Sequence, residues 1–564
     1  MSPTLFVLLI FVSLLIRCNG EITQLVHDPD MEGLHQSWKC RAHCTLTPSH
    51  DAHTGKTSLL VTNRGSINDG LSQSVNLTPN GRYNFTFYVK LLNLTTGNMY
   101  DMVQATLACS NANHIKFGQE RYTRLNHWTK VGGVAHAPAD TSGCFIRVQV
   151  SDIHADHVID DVSLVAVPNI TDWRAEANER IESIRKSNIT IRLTGAEPNA
   201  NYEIELYQTK HEFAFGSAIS ATQFIDPAYS HYQHAFYENF EWAVLENDLK
   251  WQQMERRQGH IHSTEAMATL KSLNASGIKV RGHNVFWGVD LHTPTWVTTL
   301  SQHDLQVAMD NRINNVVAMA RNYVRHWDVN NENLHGDFYE QRTRDPNITM
   351  KMFSSVHKVD PNALLFLNDF GIMENNVAQS LRNQAMLFKS AGVPIHGIGI
   401  QSHLHKMDLD ITAMKARLDT VAEAGLPIWI TELSVETTNQ TVRASVLRDV
   451  MTLYFSHPAI KGILLWGFWN GRIYNTTAAL FEGPNVQPNA AGLMYQELFK
   501  TTWRTNVTLP VHGNGDVTVR GFQGVYKVTV KKSDKELTNQ YVSVIDDKAI
   551  VLDISGLSAP AIVG

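Results

Sequence analysis

Eight short apolar runs, each followed by a longer amphipathic segment, predict a (β/α)8 TIM barrel over residues 213–503 of this 564-residue chain. Two stretches of period-two alternation flank it. They predict a β-sandwich over residues 21–167 and a small β appendage over residues 504–564. The fold class is therefore multidomain, as expected of a chain longer than one hydrophobic core usually supports. Hydrophobic residues at 43% and charged residues at 18% describe a folded chain, and a net charge of −6 with mixed signs argues against a nucleic-acid surface.

The first segment, residues 1–20, reads as a signal peptide. Leu5 to Ile16 is an apolar run of h-region length, too short to span a bilayer comfortably, and small residues near Gly20 suit cleavage. The mature chain is expected to be secreted. Four of the five cysteines, Cys40, Cys44, Cys109 and Cys144, remain after cleavage, and an even number in an exported chain predicts two disulfides with three open pairings. No C-x-x-C pair supports a zinc site. Ten N-x-S/T sequons from Asn76 to Asn506 fit a glycosylated secretory product.

Within residues 21–167 the runs TSLLVTN, YNFTFYVKLL, CFIRVQVS and HVIDDVSLVAV alternate between turn residues, the pattern of an antiparallel sandwich. A sandwich of this size ending on a strand such as IDDVSL resembles the carbohydrate-binding modules attached to plant-polysaccharide hydrolases. That resemblance makes Asp160 and Asp161 candidates for a structural calcium. Residues 168–212 read as a linker helix, NITDWRAEANERIESIRKSN, and a short β segment, ITIRLTG and YEIELYQT.

The eight barrel runs are AFGSAIS, WAVLEND, KVRGHNVFW, HWDVNNE, ALLFLND, GIGIQSH, PIWITEL and GILLWGFW. Their C-terminal ends carry polar and aromatic groups: Glu246, Asn247, His283, Trp287, Asn331, Glu332, Asn368, Asp369, Gln401, His403, Glu432 and Trp466. Parallel strands of a closed barrel end at one face, so these residues are expected to meet in one pocket. Paired carboxyls such as Glu332 and Glu432 suit glycoside cleavage, one as proton donor and one opposite the charge growing at the anomeric carbon.

The segments WDVNNE, ITEL, ENDLKW with Glu255 and Gly259 after it, RGHNVFW and GIQSHL resemble, in order, motifs of the family 10 glycoside hydrolases. The resemblance implies an endo-β-1,4-xylanase acting by retaining double displacement without a metal or other cofactor. It assigns Glu332 as acid/base and Glu432 as nucleophile. It also assigns Glu246, Asn247, Lys250, His283 and Trp287 to the sugar subsite on the non-reducing side. Asn331 and Gln401 would address the 2-hydroxyl and the carboxylates, His403 would hold Glu432, and Trp466 would wall the pocket. The negative charge of Glu432 is expected to raise the Glu332 pKa.

Some positions depart from that pattern. Ser434 stands where the family usually has an acid, GVDLHTPTW places Gly288 and Asp290 after Trp287, and WGFWNGRIY places Trp469 and Tyr474. All are expected to surround sugar subsites and bear on substrate preference. Mixed β-1,4-glucanase and xylanase activity, or β-1,3-xylanase activity, is the alternative. Two other classes compete. His403 and His405, alternate residues of one strand, suggest metal-dependent hydrolysis, and Ser434 suggests a non-catalytic glycan-binding protein. The expected partner is a polysaccharide, with no nucleic acid, no membrane after leader removal, and a monomeric state.

Overall fold

The computed structural model describes residues 23–33 and 36–557, so the expected signal segment lies outside the described residues. The chain separates into two compact units between Asn169 and Ile170.

The first unit is two five-stranded antiparallel sheets. Alternate residues of Arg82–Leu91 turn inward, placing Phe85, Phe87 and Val89 in a core with Phe117, Ile146 and Val148. Disulfides join Cys40 to Cys44 and Cys109 to Cys144, which resolves the pairing left open by the sequence. The last strand, His157–Ala166, carries a bulge between Asp160 and Ser163. Its two carboxylates serve protein donors. Asp160 Oδ2 accepts from the His53 amide at 2.7 Å, and Asp161 Oδ1 accepts from the Thr54 hydroxyl at 2.6 Å.

In the second unit the helix Trp173–Ile184 starts on Asp172, whose side chain accepts from the Ala175 amide. The barrel follows. Its strands are Ala214–Ile219, Trp242–Leu245, Lys279–Gly282, Val324–Asp328, Leu364–Asp369, Gly397–Ile400, Ile428–Val435 and Ile460–Leu465. Each pairs in parallel with its neighbours, and Gly397–Ile400 against Ile428–Val435 with Ala214–Ile219 against Ile460–Leu465 completes the closure. Burial on both faces explains why these strands read as continuous apolar runs.

The strands before and after the barrel form one body. Lys186–Thr194 pairs with Gly515–Phe522 and Lys548–Asp553, while Asn201–His211 pairs with Asn506–His512 and Gly524–Lys532. The two resulting sheets share a core of Ile189, Ile191, Ile204, Leu206, Val528 and Val530. The appendage is thus completed by the short β segment that precedes the barrel.

Candidate active site

Glu332 lies four residues beyond the fourth barrel strand, with a left-handed φ of 57° that a non-glycine residue adopts only when its surroundings hold it. Its carboxylate accepts from Trp287 Nε1 at 2.8 Å and from Gln401 Nε2 at 3.0 Å. Glu432, buried in the seventh strand, accepts from Asn368 Nδ2 at 2.9 Å and faces His403 Nε2 at 3.3 Å. The same Asn368 amide donates to Asn331 Oδ1 at 2.9 Å, and Thr431 fixes its orientation by donating to Asn368 Oδ1 at 2.6 Å. One amide therefore ties the ends of the fourth, fifth and seventh strands together.

His283 directly follows the third strand, with Nδ1 3.0 Å from Asp328 Oδ2 and 3.9 Å from Glu432 Oε1. Arg281 pairs with the other oxygen of Asp328, and all three side chains are buried. Lys250 Nζ donates to Asn247 Oδ1 at 2.9 Å and stands 4.9 Å from the Trp287 ring and 5.7 Å from the Trp466 ring. Glu246 lies 3.6 Å from Arg472, and the Trp466 ring is 5.1 Å from that of His283. All the predicted site residues but Glu246, whose partner is Arg472, are linked into one constellation by hydrogen bonds, ion pairs or ring contacts, Asn331 by way of Asn368.

The environments of the two carboxyls differ in sign. Burial raises the Glu332 pKa first, with Asp369 and then Glu432 adding to it against the hydrogen bonds from Gln401 and Trp287. The Glu432 charge is thus the smaller contributor, and burial supplies most of the rise expected from that neighbour. For Glu432, burial acts upward, but His283, His403 and Asn368 outweigh it and hold the carboxyl below its ordinary value. Burial lowers the Lys250 pKa, opposed by the charges of Glu432, Glu246 and Glu332.

Several departures acquire structural meaning. The Ser434 hydroxyl meets His403 Nδ1 at 2.8 Å and donates to Glu436 Oε1 at 3.2 Å, so a carboxylate two residues further along stands behind the serine. A Cβ on Gly288 would come within 2.6 Å of the Gly336 carbonyl oxygen, which makes this glycine a point of close backbone approach. Trp469 corrects the expectation that it lines a sugar subsite. It is buried, donates to the Gly483 carbonyl at 2.8 Å and packs on Tyr232. Tyr474 by contrast is 82% exposed. His405 stands 3.2 Å from Glu374 and 3.5 Å from Glu436, and among the described residues no three His, Cys, Asp or Glu side chains form a candidate metal site.

Sequence reasoning missed Asp328 and His292 as members of the site, and it placed Asn368 and Asp369 at the pocket without giving them a role. Asn368 and Asp369 close the fifth strand, as the polar end of the run LFLND led one to expect. Asp369 accepts from the Leu334 amide at 2.7 Å and faces His335 at 2.6 Å, bracing the turn that carries Glu332. His292 ends a single 3-10 turn, Asp290–His292, too short for periodicity to mark it, and its ring stacks on Trp287 at 3.9 Å. The Trp251, Glu255 and Gly259 frame is a lock beneath the second strand's loop: Glu255 accepts from Trp251 Nε1 at 2.8 Å and from the Gly259 amide at 2.7 Å.

Residues 205–496 match the family described as Glycosyl hydrolase family 10, and residues 23–155 match a Carbohydrate binding domain. The N-terminal sandwich is such a module. Endo-1,4-beta-xylanase 5 of Arabidopsis thaliana is 30% identical over 71% of this chain and 70% of its own length. Endo-1,4-beta-xylanase 3 of the same plant is 28% identical over 89% of this chain and 67% of its own. The anti-sigma-I factor RsgI6 of Acetivibrio thermocellus is 35% identical over 64% of this chain and 46% of its own. The chain spans less than half the length of several curated relatives it matches.

Proposed function

We propose, from the premise that this chain belongs to glycosyl hydrolase family 10, that it is an exported, retaining endo-β-1,4-glycanase acting on xylan. The observation that carries this reading is the opposed tuning of two carboxyls in one pocket, Glu332 raised and Glu432 lowered. Pairs of titratable groups driven apart in this way mark acid and base assignments.

In the first step Glu432 attacks the anomeric carbon while the Glu332 proton passes to the departing glycosidic oxygen. A covalent glycosyl-enzyme and a shortened chain result. Forming that ester removes the Glu432 charge, so the Glu332 pKa falls, and Glu332 takes the proton of the incoming water whose oxygen releases the sugar. The non-reducing-side sugar would be held by Glu246, Asn247, Lys250 and His283, with its C–H face on Trp287. Asn331 Nδ2, a buried donor with no partner among the described residues, is available to the sugar's 2-hydroxyl.

The leader-like run, two disulfides and ten sequons support export and glycosylation. The sandwich would bring the enzyme to its polysaccharide, and nothing in the reaction requires a second subunit. The test is reducing-sugar release from β-1,4-xylan, carboxymethylcellulose and β-1,3-xylan in parallel, with Glu432→Ala as control. Release from β-1,4-xylan that vanishes in the variant supports the proposal, and comparable release from the other polymers identifies mixed specificity. No release from any of them overturns it in favour of a glycan-binding role.

A further inference from the structure

At the end of the barrel opposite the two glutamates, the interior closes on Trp242, His326 and Trp429, with ring centroids 4.5 to 5.0 Å apart. This layer walls part of a cavity of about 660 Å³ whose other side is formed by Phe522 and Gln523 of the small β body. That volume lies within the range of small-molecule sites.

Cations dominate the lining. Lys279, Arg325 and Lys461 stand at the N-terminal ends of the third, fourth and eighth strands, and Arg185 adds a fourth positive charge. Against them the lining sets one acid, Glu212. Arg185 is committed to the protein, donating to the carbonyls of Phe455, His457 and Ile460 at 2.7 to 2.8 Å. Lys279, Arg325 and Lys461 are exposed, and among the described residues none of them has a paired carboxylate. A chain of net charge −6 has no compositional reason to gather its cations here.

The polar atoms of the wall are also incomplete. Among the described residues His326 Nδ1 and His211 Nε2 are buried without a hydrogen-bond partner, and both rings line the cavity. Buried polar atoms are ordinarily paired, so two orphans beside one cationic cavity call for a ligand or solvent there. The uncompensated field is felt locally. Burial and then the charges of Arg281 and Lys279 hold His326 well below its ordinary pKa, and burial and Arg185 lower Lys461 despite Glu212. A neutral imidazole keeps one N–H to donate.

We propose that this cavity binds a small oxyanion, a carboxylate or a phosphate group, between Lys279, Arg325 and Lys461. The site is separate from the glycosidase cleft. Ammonium and guanidinium groups together supply charge-assisted hydrogen bonds to several oxygens of one anion, the arrangement by which oxyanions are usually held.

Calorimetric titration of the full chain at low salt with inorganic phosphate, and separately with glucuronate, tests this. Saturable binding is expected, weakened about tenfold or more by Lys279→Ala with Lys461→Ala, and strengthened by Glu212→Gln, because both changes act on a single local charge balance. Xylan hydrolysis by these variants is expected to stay unchanged, and binding is expected to persist in Glu432→Ala. Phosphate binding alone would identify a phosphate-bearing ligand, and glucuronate binding alone a carboxylate-bearing sugar. Absence of saturable binding with either anion, or binding that the charge variants leave unaltered, overturns the proposal.

Discussion

The Ser434 hydroxyl lies 2.8 Å from His403 Nδ1, on the side of the imidazole away from Glu432. Ser434 is the next-to-last residue of the seventh strand and Glu436 lies one residue past its end, where the hydroxyl reaches Glu436 Oε1 at 3.2 Å. Asn475 Nδ2 in turn donates to Glu436 Oε2 at 2.7 Å. The serine position thus keeps an acid behind the histidine, one hydroxyl further away.

Removing that support should misorient His403 and release Glu432 from one of the groups that hold its pKa down. Ser434→Ala and Glu436→Gln are each expected to lower kcat/KM about tenfold, the rate equivalent of about 1.4 kcal/mol, which is within the range for one lost hydrogen bond. Glu432 must be ionised to attack. A rise in its pKa therefore moves the acidic limb of the pH profile upward, and Ser434→Asp should move it back. An unchanged limb in both variants would reduce the chain of contacts to packing.

Glu332 must begin protonated, and its raised pKa sets the alkaline limb, with activity lost as pH rises through it. Glu332→Ala should lose about 10²–10⁴ in rate on xylan, the usual worth of acid–base assistance. It should spare more of the first step on aryl glycosides with activated leaving groups, and added azide should speed breakdown of the intermediate. Equal inactivity on both substrates, unrelieved by azide, would remove the acid/base role.

Beneath the site, Arg281, Asp328 and His283 form a buried polar trio in which Arg281 Nε and Nη1 have no hydrogen-bond partner among the described residues. Arg281→Met leaves the Asp328 charge buried and half-paired, and breaking such a pair costs about 3–5 kcal/mol. Adding Asp328→Leu should recover most of the melting temperature, because no lone charge remains. It should not recover activity, because His283 then lacks the acceptor that aims it toward Glu432. Calorimetry and xylan assays on the same two proteins separate stability from positioning.

The barrel was legible because strands buried on both faces read as unbroken apolar runs, and the site was legible because the same runs end on Glu246, Asn331, Glu332 and Glu432. Contacts between strand ends were not legible. Nothing near Asn368 in the chain announces that its amide will join Asn331 to Glu432, 37 and 64 residues away in sequence. Trp469 was misread because an indole beside a polar strand end looks the same whether it faces sugar or, as here, Tyr232 and the Gly483 carbonyl. The small β body was seen in two halves because period-two alternation marks a strand without naming its partner, and Ile191 meets Val517 and Ile550 only across the whole barrel insertion.

That body yields the last prediction. Deleting residues 506–557 would strip Lys186–Thr194 of both neighbours and Asn201–His211 of both of its own. Ile189, Ile191, Ile204 and Leu206, now buried, would face water, and each such aliphatic side chain contributes about 1.5–3 kcal/mol when buried. Exposed edges of that kind also invite aggregation. The truncated chain is therefore expected to be insoluble or to melt well below the full protein, although every strand of the barrel and both glutamates are retained. A chain cut instead to 213–503 removes both halves together and leaves no orphaned strand pair. Among the two truncations it should be the more soluble, as judged by the fraction remaining in solution after expression. If the 506–557 deletion melted with the full-length protein, the two segments would not form one cooperative body.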